Sequence, residues 1–132
     1  MTGPLTPEAK ADRALASAET LLRCGDTDGA CNRACYAMFD AARAALLASG
    51  APVPADIGRT HSGLISAFGM HLVKNGPVPR ELGRLLNRAE EIRVVADYNG
   101  DSVGPEDARE VIAGAATFLG AIREHFMGRE PA

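Results

Sequence analysis

Tryptophan is absent from this chain and aromatic residues make up only 5% of it, so any core must form with few large ring anchors. No apolar run approaches the roughly 18 residues that a membrane-spanning helix needs. The opening residues, Met1-Thr2-Gly3-Pro4-Leu5-Thr6-Pro7, lack the charged and apolar regions of a secretory signal. Positive charge is not in excess either: 14 Lys and Arg stand against 17 Asp and Glu, a net charge of −3. That balance argues against a strong nonspecific grip on nucleic acid, which depends on cations neutralising phosphates. A local basic cleft is still compatible with it, because apart from Lys10 and Lys74 the basic residues are arginines, the better bidentate phosphate ligands.

Cysteine is scarce as well. Three residues, Cys24, Cys31 and Cys35, form an odd set in a chain without an export signal. Reduced thiols in a cytoplasmic protein are the expectation. Cys31 and Cys35 lie one helical turn apart, yet no further Cys or His stands at metal-site spacing. The cysteines therefore read as packing residues, with neither a metal nor a cofactor expected.

What is present is alanine and helical periodicity. Hydrophobic residues make up 46% of the 132, a globular composition for one domain spanning residues 1–132. Much of it is alanine, which allows helices to approach closely. Thr6-Pro7-Glu8 reads as an N-cap, a first-turn proline and a dipole-favoured acid, opening a helix to about Cys24. Its apolar face carries Ala11, Leu15, Ala18 and Leu22. After the turn Gly25-Asp26-Thr27 a second helix runs to about Gly50. A loop from Ala51 to Arg59 precedes a third helix from Thr60 to the Asn75-Gly76-Pro77 break. A fourth spans about Pro79 to Tyr98. The last begins at Pro105-Glu106 and reaches about Met127, with Val111, Ile112, Ala115, Leu119 and Ile122 on one stripe. No strand pattern or repeat occurs, so the fold class is all-α, an antiparallel bundle of about five helices.

The second helix is apolar almost all round from Ala30 to Leu47, which predicts a central position. Its polar exceptions, Asn32, Arg33, Tyr36, Asp40 and Arg43, fall within one arc roughly 100° wide. Such a stripe faces either water, with an Asp40–Arg43 ion pair, or a cleft or partner. On the fourth helix Arg93 falls inside the apolar arc of Leu82, Leu85, Leu86, Ala89, Ile92 and Ala96. An inward guanidinium needs an acid or a bound anion, and Asp97, one turn on, can supply the acid. His61 shares a face with Leu64, Phe68 and Leu72 and is either a satisfied core group or a proton carrier.

Three segments carry a family resemblance. Asn32-Arg33-Ala34-Cys35-Tyr36-Ala37-Met38-Phe39-Asp40-Ala41-Ala42-Arg43-Ala44-Ala45-Leu46-Leu47 resembles the second-helix signature of HEPN-domain proteins. The block from Thr60-His61-Ser62-Gly63-Leu64-Ile65 through Phe68 resembles the next conserved segment of that family, and Arg93 through Asp97-Tyr98 resembles its RxxADY block. The ordered set spans about Ala14 to Phe126. The resemblance implies a helical bundle that forms homodimers and serves in bacterial toxin–antitoxin or defence systems. It also implies action on RNA, in one branch as a metal-independent endoribonuclease, and pairing with a minimal nucleotidyltransferase antitoxin. The ribonuclease motif is an arginine followed after four to six residues by a histidine. Arg93 matches the arginine, while Tyr98, Asn99 and Gly100 stand where the histidine belongs.

On that basis the candidate catalytic residues are Arg93, Asp97, Tyr98 and His61, and the candidate cleft residues are Asn32, Arg33, Tyr36 and Asp40. The arginine suits phosphate stabilisation, and Asp97 could take a proton. Tyr98, with a phenol pKa near 10, is a poor base. His61 can serve only if the fold brings it beside Arg93. The alternative is a noncatalytic HEPN module that binds a nucleotidyltransferase, a nucleotide or RNA.

Overall fold

The computed structural model of the chain describes residues 6–99 and 102–126, and the side chains of all of these except 96–99. Five helices follow one another: α1 Pro7–Arg23, α2 Thr27–Ser49, α3 His61–Phe68, α4 Arg80–Asn99 and α5 Pro105–Phe126. A π-helical turn, Gly69–Lys74, extends α3. No strand occurs among the described residues.

The helix ends follow local chemistry. Thr6 Oγ1 accepts from the Ala9 amide at 3.1 Å, and Asp26 Oδ1 from the Gly29 amide at 2.8 Å. Thr60 Oγ1 accepts from the Gly63 amide at 3.1 Å. Each hydroxyl or carboxylate satisfies an amide that the first helical turn leaves unpaired. Gly50 ends α2 at φ 75°, a left-handed conformation that only glycine adopts cheaply.

α2 is the central element and touches all four other helices. Along it Ala30, Ala34, Ala37, Ala42 and Ala45 are fully buried, and Ala14 and Ala18 face them from α1. Joined by the tight turn at Gly25-Asp26, α1 and α2 run antiparallel along their whole contact. The small side chains let the two backbones close on each other. On α1 the buried positions are Ala11, Ala14 and Ala18, with Leu15 and Leu22 only partly covered. Larger groups fill the opposite side of α2, where the Phe68 and Phe118 rings meet at 5.4 Å between centroids. Met38, Leu46, Leu64, Leu72 and Leu86 complete that layer. Among the described residues no polar side chain is fully buried.

Cys31 and Cys35 belong to this core, whereas Cys24 is exposed. A hydrogen bond between the two buried thiols and their burial push the Cys35 pKa upward, so it stays protonated. Cys35 Sγ also donates to the Ala89 carbonyl at 3.3 Å, fixing α4 against α2.

Candidate functional site

Arg43 sets the entry to the site. Its side chain leaves the polar stripe of α2 and donates through Nε to the Ile57 carbonyl at 2.9 Å and through Nη2 to the Ala55 carbonyl at 3.2 Å. An Asp40–Arg43 ion pair, one of the two alternatives for the stripe, is not formed, because the loop carbonyls take the guanidinium. Gly58, at φ 107°, lies against the same side chain, and a Cβ there would stand 3.1 Å from Arg43 Cδ. The loop therefore closes tightly on α2 and delivers Thr60 as the cap and His61 as the first residue of α3.

His61 lies on aromatic surface. Its ring stacks on Phe39 at 4.0 Å with a 25° tilt, and Tyr36 approaches edge-on at 5.6 Å. Arg33 Cζ sits 5.7 Å above the Tyr36 ring. From the other side α4 presents Glu90, whose Oε1 is 3.6 Å from His61 Nδ1. That separation is an ion-pair distance, longer than a hydrogen bond.

Glu90 also closes on Arg93 one turn along the same helix. Nε donates to Oε1 at 2.9 Å and Nη2 to Oε2 at 3.0 Å, a two-point clamp. The side chains of His61, Glu90 and Arg93 retain 23%, 22% and 21% of their exposure. They are thus covered enough to be held and open enough for a solute to reach. Imidazole, carboxylate and guanidinium in one contact can carry a proton, orient its carrier and offset an anionic charge.

With this geometry in place, comparison with known proteins is decisive. Residues 9–125 match the HEPN domain. The chain belongs to the HEPN domain family. A UPF0332 protein of Gloeobacter violaceus is 37% identical over 122 residues, covering 87% of this chain and 93% of its own. A UPF0332 protein of Thermotoga maritima is 37% identical over 117 residues, covering 87% and 84%. A protein of Methanocaldococcus jannaschii described as a candidate toxin is 32% identical over 92 residues, covering 70% and 65%.

Within this HEPN domain the sequence-derived candidates separate. His61 and Arg93 share one carboxylate, and Tyr36 and Arg33 extend the cluster along α2. Asn32 is exposed at the margin. Asp40 is half-buried toward α1, where burial raises its carboxyl pKa while Lys10, Arg33 and Arg43 pull it down. Arg33 is common to both groups, so the stripe is one face of α2 that borders α1 at Asp40 and α3 at Tyr36. The side chains of Asp97 and Tyr98 lie outside the described residues. Arg93 sits at the edge of the core, half-buried, rather than inside it.

Glu90 is the residue that sequence reasoning passed over. Its signal was the three-residue spacing to Arg93, which is common on solvated helix faces and says nothing about a histidine on another helix. Among the described residues no group of His, Cys, Asp and Glu could hold a metal ion, and no helix is long and apolar enough to cross a membrane.

Proposed function

We propose that this HEPN protein, one unit across residues 1–132, is a component of a bacterial toxin–antitoxin or defence system that acts on RNA. The observation that carries the reading is the contact of His61 and Arg93 through Glu90. It supplies a proton carrier and a cation in a domain where no histidine follows Arg93 at the motif spacing. The likeness to a candidate toxin supports the same direction.

In the cleavage this reading describes, His61 takes the proton of a ribose 2′-hydroxyl. The 2′-oxygen bonds to phosphorus, the bond to the 5′-oxygen breaks, and that oxygen leaves with a proton returned by the imidazolium. A 2′,3′-cyclic phosphate and a 5′-hydroxyl result. Glu90 holds the imidazole, and Arg93 offsets the charge of the phosphorane. A homodimer and a nucleotidyltransferase antitoxin are its partners. Val94 and Val95, exposed beside Arg93, offer apolar surface for such contacts.

A second reading has a specific observation behind it. Glu90 already occupies the guanidinium fork of Arg93, which suits a noncatalytic module binding RNA, a nucleotide or the nucleotidyltransferase. Incubating the purified protein with single-stranded RNA, beside His61→Ala and Arg93→Ala, tests both. Cyclic-phosphate products from the wild type and none from either variant support the nuclease. Binding without cleavage establishes the second reading, and neither binding nor cleavage overturns the RNA assignment. Light scattering tests the assembly: a monomer at high micromolar concentration rejects the dimer.

A further inference from the structure

α1 and α2 leave an open groove on the side of the bundle away from the core, lined by Arg13, Ala16, Ser17, Thr20, Leu21 and Arg33. Its polar groups are all suited to an anion. Arg13 and Arg33 are exposed and form no ion pair among the described residues. Ser17 and Thr20 bring hydroxyls, and Arg23 stands at the rim, donating to Thr20 Oγ1 at 3.3 Å. By contrast Arg88, Arg93 and Arg123 are engaged by carboxylates and Arg43 by carbonyls. Asp40, which feels Lys10 as well as Arg33, is itself half-buried.

The groove is also continuous with the candidate site. Arg33 lines it and at the same time lies over Tyr36, whose ring meets His61, which meets Glu90, the partner of Arg93. A local cationic track thus leads to the reactive cluster of a chain whose net charge is −3. Only a polyanion long enough to span both would use it, and the exposed Tyr36 face offers a base a stacking surface between them.

We propose that the α1–α2 groove is the backbone track for single-stranded RNA approaching His61. Arg13 and Arg33 bind successive phosphates, and Ser17 and Thr20 donate to the phosphate oxygens. The proposal rests on the RNA reading above and names where the strand lies beyond the reactive cluster.

The test is fluorescence anisotropy with a labelled oligouridylate of about 12 nucleotides, within the usual span of a single-strand groove. Wild type is compared with Arg13→Ala/Arg33→Ala and with the control Arg84→Ala/Arg109→Ala, which removes two exposed arginines elsewhere. Losing two phosphate contacts should weaken binding about tenfold and lower the slope of log affinity against log salt by about 1.4. The control should keep the wild-type slope. Equal weakening in both double variants overturns the track, since only bulk charge is then at work. Undiminished binding by Arg13→Ala/Arg33→Ala, with loss in Arg93→Ala, overturns the track and leaves the RNA reading standing. No binding by the wild type at low salt overturns both.

Discussion

Glu90 of α4 and His61 of α3 stand 3.6 Å apart, Oε1 to Nδ1, although 29 positions of sequence separate them. The same oxygen accepts from Arg93, so one carboxylate governs an imidazole and a guanidinium together. Glu90→Gln keeps the shape and removes the charge. On the proposed nuclease reading, RNA cleavage should fall by about 10²-fold, the scale of a misoriented acid–base group. The bundle should lose only about 1 kcal/mol, because the pair is partly solvated. Product formation and thermal melting on the same preparation check the two effects separately.

Arg43 is expected to act at a distance. Arg43→Ala frees the Ala55 and Ile57 carbonyls and should cost about 1–3 kcal/mol. Hydrogen exchange should rise in residues 51–60 while the α2 core stays protected. Activity should drop with it, since the cap at Thr60 and the position of His61 depend on that loop. Unchanged exchange in the loop would show that Arg43 does not hold it.

Asp40 gives a pH dependence whose sign follows from its burial. The folded-state pKa is raised above the ordinary value of 3.8, so the native state binds the proton more tightly than the unfolded chain. Stability is therefore full below that ordinary value and declines as pH rises through the folded value. Asp40→Asn mimics the protonated carboxyl. It should melt higher than wild type at neutral pH and converge with it in acid, as calorimetry across that range would read. A variant less stable at neutral pH would mean that Lys10, Arg33 and Arg43 outweigh the desolvation.

Phe118 tests the large-residue side of the core. Phe118→Ala removes the partner of Phe68 and leaves a cavity, at a cost of about 3–5 kcal/mol. Denaturant unfolding should show an earlier midpoint with little change in slope. A loss below about 1 kcal/mol would mean that the surrounding helices collapse into the space.

Much of the fold was readable because its determinants are local. Thr6, Asp26 and Thr60 each reach an amide three residues on, and Gly50 accepts a left-handed turn wherever the chain places it. The nearly all-apolar α2 could only be central, since water cannot cover such a face favourably. Arg93 also announced itself, because a cation among leucines breaks the helical pattern.

The partners of the site were another matter. Asp40 and Arg43 are three residues apart, a spacing that allows an ion pair, yet the nearby carbonyls of Ala55 and Ile57 took the arginine. Nothing in the sequence set Glu90 apart; packing fixed the register of α4 against α2 and α3, through contacts such as Cys35 with Ala89. Spacing along a helix fixes which residues share a face. Which faces meet, and at what height, is decided by side-chain volumes filling a common core. For that reason the sequence by itself determined the helices, their caps and the central place of α2. Only the tertiary structure decided that His61, Glu90 and Arg93 would meet.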